Sequence, residues 1–333
     1  MKKYLMGLVL SAIAATGAMA QPKELVVAAF GGAYTDALKK HMGAFEAANN
    51  VKVRFLPASG AEAISKARGK EVDVIHADFA WAFRGEAQGL FEKLDPAVIP
   101  NLATVYPRAR FSDYGVVTNF GEYGIAYNKK LVTKPPTSWS DMLDPQYKGR
   151  VSTAGFDAAN AEMLVMFAKA NGGSEDNIDP GFKKMAEMSK NITVFYSQHP
   201  QLLDLFRSGE VVMARWLRGR VKWANEKDVT DVQFAVPKEG AIALASTVHV
   251  VKGRQNTQLA MKFINYLLSK ECQVEYARDL GYTPSRSDLD LKAQNINVPY
   301  GNEMINSLII GDWRKITPKL DSWKERWDKE IGR

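Results

Sequence analysis

The chain has 333 residues, of which 46% are hydrophobic and 24% are charged, and its formal net charge is +7. These values are typical of a globular protein long enough for two domains, and they argue against a disordered or fibrous chain. The basic residues are spread along the sequence without a basic-aromatic block, so no nucleic-acid partner is expected. The single cysteine, Cys272, excludes an internal disulfide and is expected to be a buried packing residue on a helix.

The first 20 residues have the features of an export signal. Lysines at positions 2 and 3 precede a short apolar stretch, which is followed by the small-x-small sequence AMA. The apolar stretch is shorter than the roughly 20 residues of a membrane-spanning helix. We therefore predict cleavage after Ala20 and an exported mature chain of 313 residues, with the formal charge reduced from +7 to +5. No cysteine follows the cleavage site, so a lipid-anchored form is not expected.

Predicted strands and helices alternate along the mature chain. Apolar or alternating runs indicate strands, and apolar residues spaced three or four apart indicate helices. The first unit has strands over 25–30, 51–56 and 72–76, and helices over 34–45, 61–70 and 81–88. The second has strands over 150–153, 192–195 and 211–216, and helices over 158–170 and 202–207. Such alternation is typical of parallel pairing, and it predicts two α/β units.

Two further strands and a tail complete the chain. A strand over 119–128 leaves the first unit, and a strand over 242–251 with a helix over 259–268 returns toward it. The tail carries Trp313, Trp323 and Trp327 at roughly helical spacing. We interpret these tryptophans as packing residues of a terminal helix rather than as ligand contacts.

Six short segments resemble, in order, those of one protein family. They are VAAFGGAY (27–34), NFGEYGIAYN (119–128), SWSDMLDPQYKGR (138–150), FRSGEVVMARWLRGR (206–220), VPKEGAIALAST (236–247) and GYTP (281–284). The chain resembles the type II periplasmic solute-binding proteins, in the group of the spermidine/putrescine- and ferric-ion-binding proteins (extracellular solute-binding protein family 1). The resemblance covers nearly the whole mature chain.

The resemblance implies a two-lobed α/β fold in which two domains are joined by two crossover strands, with a ligand cleft between them. Lobe I would comprise 21–127 and 246–285, and lobe II 128–245 and 286–333. The ligand would be clamped by hinge closure and delivered to an inner-membrane ABC permease. A monomer without metal or cofactor is expected.

Two loops of lobe I are candidate ligand contacts. Phe30, Gly31, Gly32 and Tyr34 lie between the first strand and a helix, where glycines let the backbone approach a ligand and amides favour an anion. The alternative is a plain turn. Asp78 follows the third strand, and it either meets the ligand or caps the helix that follows.

Lobe II offers a third acidic residue and an arginine cluster. Asp157 precedes a helix, and it either meets the ligand or caps that helix. Trp216 matches an aromatic residue that flanks the ligand in similar polyamine carriers, so we expect Trp216→Ala to weaken binding without unfolding the protein. Arg220 could hold a carboxylate or phosphate, or could lie on a solvated helix face. Which of Arg215, Arg218 and Arg220 faces the cleft stays open.

Tyr123 near the first crossover, and Ser246 and Thr247 near the second, complete the predicted site. Similar polyamine carriers have a carboxylate at the position of Ser246, and a buried ammonium needs such a partner. Ferric carriers have an adjacent tyrosine pair, which this sequence lacks. The expected ligand is therefore an anionic or zwitterionic solute: an amino-acid derivative, opine, organic acid or phosphorylated compound. A polyamine is the alternative, with Asp78, Glu122 or Asp157 meeting the amine.

An exported hydrolase is the alternative from another class. It would need a nucleophile elbow or a zinc helix, and the sequence contains no G-x-S-x-G, H-E-x-x-H or P-loop motif. The four histidines are scattered along the chain. A binding protein that feeds a chemoreceptor instead of a permease would share the same sequence features.

Overall fold

A computed structural model describes residues 23–332, so the predicted export signal and its cleavage after Ala20 lie outside the described residues. The strands are β1 (Lys23–Ala29), β2 (Val51–Pro57), β3 (Val74–Ala77), β4 (Val116–Asn128), β5 (Val151–Ala154), β6 (Ile192–Tyr196), β7 (Met213–Leu217), β8 (Val232–Ala235), β9 (Ile242–Val250) and β10 (Thr283–Pro284). The α-helices are α1 (Ala33–Lys40), α2 (Gly43–Asn49), α3 (Gly60–Arg68), α4 (Phe79–Ala87), α5 (Ala158–Ala170), α6 (Asp179–Ser189), α7 (His199–Ser208), α8 (Arg218–Glu226), α9 (Thr257–Leu267), α10 (Lys270–Leu280), α11 (Asn302–Ser307), α12 (Trp313–Ile316) and α13 (Leu320–Glu330). No helix between residues 23 and 332 is long and apolar enough to span a bilayer.

All strands belong to one curled sheet in the order β2-β1-β3-β9-β4-β7-β5-β6, with β8 and β10 paired to β4. β1 pairs in parallel with β2 on one side and β3 on the other, and its residues from 25 to 29 are buried. A strand covered on both faces needs apolar side chains in both directions, which explains its continuous apolar run. The predicted α/β class is confirmed.

The antiparallel pair β4 and β9 joins the two lobes. β9 pairs with β3 of the first lobe, and β4 pairs with β7 of the second. The two strands pair with each other from Val116–Val248 to Tyr123–Ile242, with a register shift between Val117 and Asn119. They are therefore the two crossover strands, and the two-lobed fold is confirmed.

The C-terminal segment contacts both lobes. Ser285 accepts a hydrogen bond from the Tyr106 amide, and the Ser287 amide donates to Thr104, which fixes this part of the chain beside the first lobe. Residues just after 285 therefore lie against lobe I, although the sequence assigned 286–333 to lobe II. The final helix α13 instead packs Trp327 against aromatic rings of the second lobe. The remaining lobe boundaries stay a prediction.

Several element boundaries differ from the sequence prediction. The predicted helix over 34–45 is divided into α1 and α2 around His41 and Met42. The tail helix is interrupted at Pro318, which has no N–H to continue the hydrogen-bond ladder. Its three tryptophans are buried, as expected. α6 and β8 were not predicted.

Glu162 ties the second lobe to the C-terminal segment. Glu162 belongs to α5, and its side chain is almost fully buried. The Gly311 amide donates to one carboxylate oxygen and the Trp313 indole N–H donates to the other, each at 2.6 Å. Burial raises the pKa of Glu162 to about 8. Two donors on two oxygens hold Trp313 in place.

We expect Glu162→Gln to lower the free energy of unfolding by about 1–3 kcal/mol, because an amide N–H₂ would then face an N–H donor. A protonated carboxyl avoids this conflict, since its hydroxyl oxygen still accepts. Urea unfolding at neutral pH measures the effect. The exposed Glu325→Gln is the matched control, and equal stability of both variants would contradict the role of Glu162.

Candidate ligand-binding site

A cavity of about 380 Å³, here called the main cavity, is lined by both lobes and both crossover strands. Its lining residues are Phe30, Gly31, Tyr34, Tyr123, His199, Leu217, Gly219, Arg220, Lys222, Trp223, Glu226, Leu244, Ser246, Asp279, Leu280, Gly281 and Tyr282. A side cavity of about 80 Å³ is lined by Asp78, Phe79, Tyr123, Asp157, Ala158, Ala159, Ala243, Leu244, Ala245 and Trp313. Because Tyr123 and Leu244 line both cavities, the two are neighbours along the same cleft.

The loop after β1 contributes one wall of the main cavity. Gly32 has φ +66°, a left-handed conformation that favours glycine, and its carbonyl accepts from Asp36 to start α1. Gly32 itself does not line the cavity, so it shapes the turn that presents Phe30 and Tyr34. The Tyr34 hydroxyl donates to Asn119 Oδ1 at 3.2 Å, which anchors the ring to the crossover strand β4.

Asp78 and Asp157 line the side cavity from opposite lobes. Each also caps a helix: Asp78 accepts from the Trp81 amide at 3.1 Å, and Asp157 accepts from the Asn160 amide at 2.7 Å. Burial raises the pKa of Asp78, and the nearby negative charge of Asp157 raises it further. Both residues therefore cap a helix and also line the side cavity.

The three arginines have three different environments. Arg215 is fully buried and its Nη2 donates to Asp157 Oδ2 at 2.7 Å. Arg218 forms an ion pair with Glu122 of β4. Arg220 lines the main cavity, and no carboxylate of residues 23–332 lies within 4.0 Å of its guanidinium. Arg220 is therefore the member of the cluster that faces the cavity.

The other charges around the main cavity are already neutralised. Lys222 and Glu226 lie 3.9 Å apart and are both largely exposed. Asp279 accepts from Lys40 at 3.2 Å and lies 3.3 Å from the His41 ring nitrogen. Arg220 is left as the positive charge without a protein counter-ion in this part of the described chain.

Trp216 and Thr247 lie behind the cavity rather than on its surface. The Trp216 ring is fully buried, stacks on Phe206 at 5.8 Å and does not line either cavity. The Thr247 hydroxyl is buried and donates to the Ala77 carbonyl at 2.8 Å. Ser246 does line the main cavity, where its hydroxyl accepts from the side-chain Nδ2 of Asn119.

The structure adds a residue that the sequence prediction missed. His199 lines the main cavity at the start of α7, and its Nδ1 accepts from the Trp216 indole N–H at 3.0 Å. Burial lowers the pKa of His199 to about 4, helped by the positive charges of Arg220 and Arg215. Its place just after the carboxyl end of β6 is where ligands bind in α/β sheets, so that signal could have identified it.

Two α/β lobes, two crossover strands and a cleft lined by both define a two-lobed solute-binding protein. The profile of the bacterial extracellular solute-binding proteins matches residues 40–299. The chain belongs to this family, which contains transport-binding proteins, and it is the substrate-binding component of an ABC importer.

Individual relatives agree with this assignment. The gamma-aminobutyric acid-binding protein of Pseudomonas aeruginosa is 29% identical over 81% of this chain and 79% of its own length. The spermidine/putrescine-binding periplasmic protein of Escherichia coli is 26% identical over 60% of this chain and 59% of its own length. The crystal structure of an ABC transporter protein from Clostridium perfringens has the same fold, with a TM-score of 0.82, 24% identity, and coverage of 92% of this chain and 99% of that one.

The burial of Trp216 changes the result expected for Trp216→Ala. Instead of leaving the fold intact, the substitution should lower the free energy of unfolding by about 3–5 kcal/mol, because it empties a packed core position. Urea unfolding measures this. Trp223→Ala, at a half-buried ring on the cavity wall, is the control and should cost much less. Equal losses would contradict the placement of Trp216.

His76 should make stability depend on pH. The ring is fully buried next to the Tyr34 hydroxyl, and burial, with a smaller effect of His249, lowers the pKa of His76 to about 3. The unfolded chain binds this proton near pH 6.5. Below that pH the unfolded state therefore gains protons that the folded state does not bind, and stability falls on acidification.

Replacing His76 with the non-titrating Gln should reduce this loss. We expect the free energy of unfolding of His76→Gln to fall about 2 kcal/mol less than that of the wild type between about pH 7 and pH 5. Urea unfolding at the two pH values measures the difference. The same pH dependence in both proteins would show that His76 does not stay neutral in the fold.

Proposed function

We propose that the protein binds a small zwitterion, with a carboxylate at one end and an ammonium at the other, and delivers it to an ABC permease. One observation carries this proposal: the two parts of the cleft have opposite electrostatic character. Arg220 lines the main cavity and Asp78 and Asp157 line the side cavity. The main cavity volume of about 380 Å³ suits a metabolite rather than a polymer.

The anionic end of the solute would lie in the main cavity. Arg220 provides a guanidinium without a protein counter-ion, and guanidinium groups pair bidentately with carboxylates. Phe30, Gly31, Tyr34, Tyr123 and Ser246 would form the walls around the solute. Trp216, Thr247 and Gly32 would support those walls from behind.

The ammonium end would lie between Asp78 and Asp157. These carboxylates belong to different lobes, and Asp157 is already paired with Arg215. Asp78 forms no ion pair with a basic residue of 23–332, so an ammonium that contacts both carboxylates after lobe closure would gain a hydrogen-bond partner on each lobe, and the closed state becomes the better binder. A ligand that contacts both lobes in this way drives hinge closure, which would present the closed form to the permease.

The relatives support a zwitterion over a polyamine. A gamma-aminobutyric acid-binding relative is 29% identical over most of this chain, whereas a spermidine/putrescine-binding relative matches over 60%. A diamine would place its second ammonium near Arg220, where like charges repel. A polyamine remains the second candidate because Asp78 and Asp157 suit an amine.

The predicted export signal indicates where in the cell the protein would act. We infer that the signal is removed after Ala20 and that the mature chain acts in the periplasm as a monomer, without nucleic acid. Its role is to bind rather than to catalyse, so chromogenic ester, peptide and phosphate substrates should show no turnover. Hydrolysis of any of them would favour the exported hydrolase instead.

Three four-carbon compounds test the proposal. Calorimetry of the mature protein should detect binding of 4-aminobutyrate or a homologue one or two carbons longer. Succinate and putrescine, the matched dicarboxylate and diamine, should bind at least about tenfold more weakly, because each leaves one charged end of the cleft unpaired. Tighter binding of putrescine would support the polyamine candidate and overturn the zwitterion.

Two substitutions test which residues bind the carboxylate of the ligand and which bind its ammonium group. Arg220→Met should weaken 4-aminobutyrate binding at least about tenfold, since the carboxylate loses a charged partner, and Asp78→Asn should do the same for the ammonium. The exposed Lys324→Met is the matched control for loss of a positive charge. Unchanged affinity in both cavity variants would contradict the proposed orientation.

A further inference from the structure

The contact between Trp216 and His199 crosses from the core to the cavity. Trp216 lies on β7, His199 opens α7, and the indole Nε1 is 3.0 Å from the imidazole Nδ1. The indole N–H can only donate, so Nδ1 must accept with a lone pair. The neutral imidazole then carries its proton on Nε2.

The Nε2 atom is available to the cavity. His199 lines the main cavity, and no hydrogen bond from residues 23–332 engages Nε2. The two nitrogens lie on different edges of the ring. With Nδ1 turned to the buried Trp216, the Nε2 edge faces away from the core.

We propose that Trp216 fixes His199 as the Nε2–H tautomer and thereby makes His199 a neutral hydrogen-bond donor to the anionic group of the ligand. This inference rests on the proposed function for the nature of the ligand. Trp216 is a positioning residue, and His199 is the residue that touches the solute. Through this pairing, a fully buried tryptophan would affect binding.

The surroundings of His199 keep the ring neutral. The groups that face it are the cations Arg220 and Arg215, the Tyr196 ring at 6.0 Å and the Trp216 indole. No carboxylate of the described residues forms an ion pair with the imidazole. Protonation of Nδ1 would also break the bond to Trp216, so geometry and charge both oppose the imidazolium form.

A neutral donor beside Arg220 has a consequence for selectivity. The arginine supplies the charge, and His199 supplies a directional N–H at a fixed position. An oxygen of a carboxylate, phosphonate or phosphate accepts this bond, whereas an ammonium group has only donors and cannot. The pair therefore accepts an anionic end and rejects an amine.

Nuclear magnetic resonance of the ligand-free protein tests the tautomer directly. Histidine ring-¹⁵N spectra of the full mature protein at about pH 6.5 should show His199 with its proton on Nε2. Assignment uses His199→Gln, in which that signal disappears. In Trp216→Phe, which keeps an aromatic ring but has no donor, an Nδ1–H population should appear. If the spectra of the wild-type protein show His199 as the Nδ1–H tautomer or as an imidazolium, the inference is wrong.

Affinity for 4-aminobutyrate tests the ligand contact. The affinity of His199→Leu should be at least about tenfold lower than that of the wild type, because the substitution removes a donor to a charged group. His199→Gln keeps an N–H₂ near the Nε2 position, so its affinity should stay within about threefold of the wild type. Wild-type affinity in His199→Leu would overturn the ligand contact.

The two proposals fail in different ways. If the wild type binds none of the four-carbon compounds while His199 shows the Nε2–H form, the zwitterion proposal is wrong and the tautomer assignment stands. If 4-aminobutyrate binds and the ring spectra show another tautomer, the zwitterion proposal stands and this inference is wrong.

Discussion

The ion pair between the buried Arg215 and the half-buried Asp157 connects the core of the second lobe to the cleft. Arg215 is fully buried, and besides Asp157 it donates to Thr153 and lies over the Tyr123 ring at 4.6 Å. A buried charge is tolerated only when it is paired, and removing one partner typically costs about 3–5 kcal/mol. The same contacts fix the Asp157 carboxylate and the Tyr123 ring, both of which line the side cavity.

The crossover strands β4 and β9 connect these contacts to the first lobe. Tyr34 of the first lobe bonds to Asn119, and Asn119 bonds to Ser246 across the two strands. The walls of the main cavity are therefore attached to the strands on which the lobes move. In the proposed binding mode, a ligand that contacts Asp78 on one lobe and Asp157 on the other would link binding to closure.

The sequence predicted the parts of the fold that depend on local pattern. The apolar run of β1 and the helix over 158–170 were predicted because burial on both sheet faces and capping by Asp157 leave visible signals. The cavity-lining position of His199 and the burial of Trp216 were not predicted, because both depend on tertiary contacts. The bond that joins them spans β7 and α7, and no spacing rule reveals it. Likewise, only tertiary contacts distinguish Arg220, which lines the main cavity, from Arg215 and Arg218, which pair with carboxylates.

A crystal structure of the mature protein with 4-aminobutyrate, or with the ω-amino acid that binds most tightly, would locate both ends of the bound solute. We expect closed lobes, the carboxylate against Arg220 and His199, and the ammonium between Asp78 and Asp157. A ligand bound in the reverse orientation, or bound without contact to both carboxylates, would contradict it.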